Sequence, residues 1–179
     1  CRQIAAPAEH VPLATEVRLL LDASTGIQLS PDGSVELWLS RDTAGRTATQ
    51  PVPARRPTLS KLPGNNHAAV EFNGRDSFLQ LGTGLLDQDE FTAFAVATDR
   101  AAAGHRELLS SWSGRDGNST ESLFVGLTGE RAFRLSDALS GVGELQQGDQ
   151  PFLLTAANGP NGAVLFQGLR QAAFQSARL

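Results

Sequence analysis

Few side chains in this chain could do chemistry, and their spacing narrows what that chemistry can be. The densest acidic cluster is Asp87-Gln88-Asp89-Glu90. A retaining glycosidase needs two carboxylates about 5 Å apart, which on a strand means residues two or four apart on one face. No strand-like run here carries such a pair, and the 87–90 cluster precedes the apolar run at Phe91, as a solvated turn would. The three histidines, His10, His67 and His105, are isolated from one another and from any Gly-x-Ser-x-Gly turn. Neither a zinc site nor a Ser-His nucleophile follows from them; His67 reads as the residue leading into a strand. Two features fit ligand binding better. Trp112 stands beside the polar run 113–121 and suits a stacking platform for a sugar ring, although large aromatics are buried on average and both Trp38 and Trp112 read first as core. Asp116 and Asn118, in Arg115-Asp116-Gly117-Asn118, are oxygen donors of the kind calcium takes, with Asp76 or Asp22 as further ligands. Turn chemistry explains Asp-Gly-Asn equally well. Arg75 and Asp76, just after Asn73-Gly74, are the residues of that stretch that neither core nor turn requires.

These candidates must be positioned by strands. Across 179 residues, 40% are hydrophobic and 19% charged, which describes a single folded domain. The net charge of −4 is spread without blocks, so nothing points to nucleic acid. No apolar run approaches the roughly 20 residues of a membrane-spanning helix. Short alternating runs recur between turn signals, at 16–22, 34–40, 69–81, 107–112, 122–127, 131–135, 152–157 and 163–167. Ser30-Pro31-Asp32-Gly33 is a turn by composition. Asn73-Gly74 between Val70/Phe72 and Phe78/Leu81 predicts a two-residue hairpin. In 34–40, Val35, Leu37 and Leu39 share one face and Trp38 takes the other. Phe91–Thr98 is the most apolar run and is expected at the centre of a sheet. Residues 41–66 hold four prolines and predict a long irregular excursion, with a short extended piece at 56–59. About nine or ten strands and no long amphipathic helix predict an all-β antiparallel sandwich.

Several of these segments, taken in order, resemble a known group. Leu-Leu-Leu-Asp-Ala-Ser (19–24), Val-Glu-Leu-Trp (35–38), Ala-Thr-Gln (48–50), Arg-Pro-Thr-Leu (56–59), Val-Glu-Phe-Asn-Gly-Arg-Asp-Ser-Phe-Leu (70–79) and Phe-Thr-Ala-Phe-Ala-Val (91–96) are similar to the concanavalin A-like, laminin-G-like domain of bacterial secreted proteins. Each motif alone is weak; their collinearity over residues 17–98 carries the likeness. The resemblance implies a jelly-roll β-sandwich, often with calcium at its rim, used for recognition of glycans or proteins and in some relatives for glycan cleavage. Three departures stand out. Leu20 replaces the family's Trp, Ser40 replaces the Asp of its Trp-x-Asp loop, and Gln167-Gly168 stands where a late Asn-Gly turn is usual. Only Ala172–Ala177 remain for strands beyond that turn, so an unpaired sheet edge is expected.

The N-terminus adds an address. The chain has no Met, and its one Cys is Cys1, followed by an Ala- and Pro-rich stretch to Pro12. One cysteine rules out an internal disulfide. Cys at the first position resembles a mature bacterial lipoprotein, in which that thiol and amine are acylated. Residues 1–15 would then be a tether lipidated at Cys1, and 16–179 the laminin-G-like sandwich, lacking its last strands. The expectation is a non-catalytic module that recognises a glycan or envelope protein, exported and held at the membrane through Cys1 alone, with calcium as its one candidate cofactor. A glycoside hydrolase or lyase of the same fold, and a structural spacer of a larger envelope protein, are the alternatives.

Overall fold

The computed structural model describes residues 17–42, 44–62, 66–82, 85, 90–100, 104–111, 123–130, 132–141 and 148–179, the side chains of 148 and 149 excepted. Within these the chain is all-β, and every strand pairing is antiparallel. One four-stranded sheet has the order β1 (Ile27–Leu29), β2 (Val35–Leu39), β3 (Thr47–Thr49), β6 (Gln80–Leu81). A hairpin of β4 (Thr58–Lys61) and β5 (Ala68–Glu71) adjoins it through a bridge between Ser34 and Thr58. A second four-stranded sheet runs β14 (Arg170–Gln175), β13 (Gly162–Gln167), β12 (Gly148–Gly159), β7 (Phe91–Asp99). A third runs β11 (Leu139–Ser140), β10 (Phe133–Leu135), β9 (Leu123–Leu127), β8 (Arg106–Ser111).

The second and third sheets face each other over one core. Val125, Leu127, Phe133, Leu135 and Leu139 on one side meet Leu154, Ala156, Ala163 and Leu165 on the other. The rings of Phe133 and Phe152 bridge the layers with centroids 5.3 Å apart. Alternation explains this: Ala163 and Leu165 on β13, and Leu154 and Ala156 on β12, are two apart and point inward together.

Several sequence expectations change. Asn73-Gly74 is not a two-residue hairpin, because β5 pairs with β4 and β6 pairs with β3. Residues 73–77 instead form a loop wound around one side chain. Asn73 Oδ1 accepts from the backbone N–H of Arg75, Asp76 and Ser77, and Gly74 takes φ +69°. The asparagine serves the turn through its side chain, which does not require paired strands. The 41–66 excursion contains β3, a 3₁₀ turn at Pro53–Arg55, and β4. Pro51, Pro53 and Pro57 sit between pairing segments and leave the ladders intact. Residues 17–22, expected as a strand, form no ladder; Leu20 bonds instead to Ser40 and Arg41. β7 is not central: among the described residues it is the last strand of its sheet, with Phe94 71% and Val96 69% exposed. Its apolar outer face made it read as buried on both sides. Expectations for residues 1–16, the Asp87–Asp89 acids and the 113–121 loop lie outside the described residues.

Ser40 and Asp42 together tie the end of β2 to the segment before β1. Ser40 Oγ donates to Asp42 Oδ2 at 2.6 Å and accepts from the Leu20 N–H at 2.8 Å. Trp38 Nε1 donates to the Asp22 carbonyl, and Arg41 reaches the Asp22 carboxylate at 3.0 Å. These contacts lock the 20–26 segment to the end of β2. Burial pushes the Asp42 carboxyl up, but the Ser40 hydroxyl, the Ala44 N–H and Arg46 outweigh it and hold it below the ordinary range. Asp22 is lowered chiefly by Ser24, and Asp32 by the Ser30 and Ser34 hydroxyls. Carboxyls lowered on folding bind fewer protons in the native state. Their contribution is therefore complete above the unfolded value near pH 4 and is lost as pH falls through the folded values. Urea midpoints are expected to be flat from about pH 7 to 5 and to drop steeply below about pH 4. Asp42→Asn should lower stability at neutral pH by about 1–3 kcal/mol and make the acid slope shallower.

Candidate functional site

The β1-β2-β3-β6 sheet has two unlike faces, and cross-strand register defines both. Ile27, Trp38, Ala48 and Leu81 are successive direct partners across the four strands. Direct partners point to the same side, so these form one apolar row, in which Ala48 is 1% exposed and the others are half-buried. Trp38 thus faces the covered side. The face of Val35, Leu37 and Leu39 is buried at Val35, half-buried at Leu37 and 43% exposed at Leu39. The bulky indole, anchored by its N–H to Asp22, decides which side is covered; the alternation of smaller aliphatics does not.

The other face carries Gln28, Leu37, Thr49 and Gln80, again direct partners in sequence across all four strands. With strands about 4.8 Å apart, this row spans about 14 Å. It forms the floor of an open groove of about 410 Å³, completed by Glu36, Gln50 and Pro51. That volume lies within the roughly 300–1,000 Å³ of small-molecule sites.

The groove is rigid at one end and available at the other. Arg56, whose side chain is 8% exposed, donates Nε to the Gln50 carbonyl at 2.7 Å and NH2 to Glu36 Oε1 at 2.8 Å. Gln50 is itself buried: its amide donates to the Phe78 carbonyl, and its oxygen accepts from the Val52 N–H. Glu36 is therefore a fixed, 42% exposed acceptor, and Gln50 a brace. By contrast, the side chains of Gln28, Thr49 and Gln80 make no hydrogen bond within the described chain. Two amides and one hydroxyl beside the apolar Leu37 and Pro51, with Glu36 at the groove's margin, make a surface that can both donate to and accept from a hydroxyl-rich ligand. Glu36 is the one carboxylate among the described lining residues.

The residues singled out from sequence fall elsewhere. Arg75 and Asp76 share the exposed 73–77 loop, and neither lines the groove. Asp76 is engaged in the loop itself, accepting from Asn73 Nδ2 at 2.8 Å. Trp112, Asp116, Asn118 and Cys1 lie outside the described residues. Among the described residues no three His, Cys, Asp or Glu side chains gather as a metal site would require. His67 directly precedes β5, as expected of a residue leading into a strand. Sequence reading missed Gln28, Glu36, Thr49 and Gln80. The available signal was polar alternation, with Gln28 between Ile27 and Leu29 and with Thr47 and Thr49 flanking Ala48. It becomes a site only when four short strands are set in register.

Compared with known proteins, the chain matches no family model, no curated protein and no solved structure.

Proposed function

We propose that the chain is a non-catalytic recognition module that binds a glycan along the Gln28–Leu37–Thr49–Gln80 row. The observation that carries this reading is the row itself: unengaged amide and hydroxyl groups in register over about 14 Å, with Glu36 fixed at the side. Sugars present alternating donors and acceptors, and side-chain amides meet both at once. Two-carboxylate glycoside cleavage is less well served. Glu36 is held in an ion pair and has no second carboxylate beside it among the described lining residues. The motif order over 17–98 supports a laminin-G-like jelly roll as the scaffold.

A glycan array probed with the parent chain and with Gln28→Ala/Gln80→Ala tests the reading. Binding to at least one glycan class, weakened tenfold or more in the double variant at an unchanged melting temperature, is expected. An array with no bound glycan sinks it.

A further inference from the structure

We infer that the free edge of β7 joins a second copy of this chain, making one continuous eight-stranded sheet about a two-fold axis at Ala95. Among the described residues β7 ends its sheet, bonded to β12 on one side only. Natural edge strands are usually blunted by a charge, a proline or a bulge, since a bare edge is a template for another strand. From Phe91 to Thr98 this one has no charge and no proline, and its register with β12 is unbroken over Phe91–Ala97. Phe94 and Val96, 71% and 69% exposed, stand on the outer face of this edge strand.

The sequence of β7 complements itself when reversed. Antiparallel pairing centred on Ala95 sets Phe94 opposite Val96 of the second copy, Thr92 opposite Thr98, and Glu90 opposite Arg100. Each occurs twice by symmetry, as an isologous interface requires. Aromatic with β-branched, threonine with threonine, and acid with base are the cross-strand pairs that favour association. All six residues have even numbers, so they share the outer face. On the inner face it sets Ala93 opposite Ala97, Ala95 opposite itself and, at the two ends of the strand, Phe91 opposite Asp99. Moving the axis by one residue would lose the Glu90–Arg100 match. Glu90 and Arg100 already hold surface partners, Arg178 at 3.7 Å and Glu71 at 3.2 Å, but remain 60% and 45% exposed and can be shared. The outer apolar surfaces of the two copies, each with Phe94, Val96 and Leu153, would become continuous across the axis.

Sedimentation velocity over a range of concentrations, combined with cysteine pairing in a Cys1→Ser background, tests this. A reversible dimer is expected. Val96→Lys, at a position already exposed, should weaken it at least tenfold without changing the melting temperature. Ala95→Cys should give a disulfide dimer, because opposed residues are about 4.5–5.5 Å apart between Cα atoms and that separation suits a disulfide. Ala93→Cys, whose opposite number is Ala97, should give none. A chain that is monomeric at every concentration overturns the inference, as does a dimer that Val96→Lys leaves intact or that links through position 93 and not 95.

Discussion

Gly162→Ala is expected to lower the melting temperature by about 5–15 °C, the largest loss of any single methyl addition considered. Gly162 opens β13 after the Pro160-Asn161 turn and has φ +106°, a conformation that side chains resist. The end of β14 also passes directly over it. A Cβ there would lie 2.1 Å from the Gln175 carbonyl oxygen and 2.9 Å from Ser176 backbone atoms, and backbone held in a sheet cannot step aside. Backbone strain of about 1 kcal/mol and overpacking of about 1–3 kcal/mol add. At about 2–4 °C per kcal/mol for a chain of this size, the shift follows. Gly168→Ala separates the two terms. Gly168 has φ +56° but open space around it, so only the strain should appear, about 1 kcal/mol. Thermal melts of both variants check the pair. Equal losses would mean that β14 does not close over the turn.

Arg134→Ala is the second large effect, about 3 kcal/mol of destabilisation by urea titration. Arg134 is 7% exposed, on the side of β10 away from the shared core. Its guanidinium lies 4.1 Å over the Phe124 ring and reaches Glu107 at 3.5 Å and Asp137 at 3.4 Å. Gly126 makes this contact feasible. It is the direct partner of both Arg134 and Glu107, and its missing side chain lets the ion pair close across the strand between them. Truncation removes the cation from Phe124 and leaves the 24% exposed Glu107 without that partner. Arg134→Met keeps the aliphatic contact with Phe124, and combined with Glu107→Gln it removes both charges. The double variant should recover most of the loss, since desolvation of the pair offsets much of its attraction. If Arg134→Ala is neutral, the cluster is surface decoration.

How far the sequence could be read depends on the range of the interaction. Local signals held. Ser30-Pro31-Asp32-Gly33 turns as expected, with the Gly33 N–H donating to the Ser30 carbonyl, and the alternation of 163–167 places Ala163 and Leu165 in the core. Pairing partners were not legible. Asn73-Gly74 looked like a hairpin because its flanking runs alternate, yet the strands before and after it bond to different neighbours. Nothing within 69–81 encodes that choice. Trp38 does lie opposite Val35, Leu37 and Leu39, as alternation places it, but that its side is covered comes from the partners Ile27, Ala48 and Leu81, all from other strands. Asp42 was overlooked because its role depends on Leu20 and Ser40 being brought to it. The groove is the extreme case, since each of its residues is an ordinary outward-facing polar side chain until register aligns them.

The most direct test of the groove reading is an NMR titration of the ¹⁵N-labelled chain with the glycan that binds best on the array. The predicted result is a set of saturable shifts confined to the amides of Gln28, Leu37, Thr49 and Gln80 and the side-chain amides of Gln28 and Gln80. These shifts should be abolished in Gln28→Ala/Gln80→Ala while the rest of the spectrum is preserved. Saturable shifts that cluster elsewhere, such as around the 73–77 loop, and survive in that variant would contradict it.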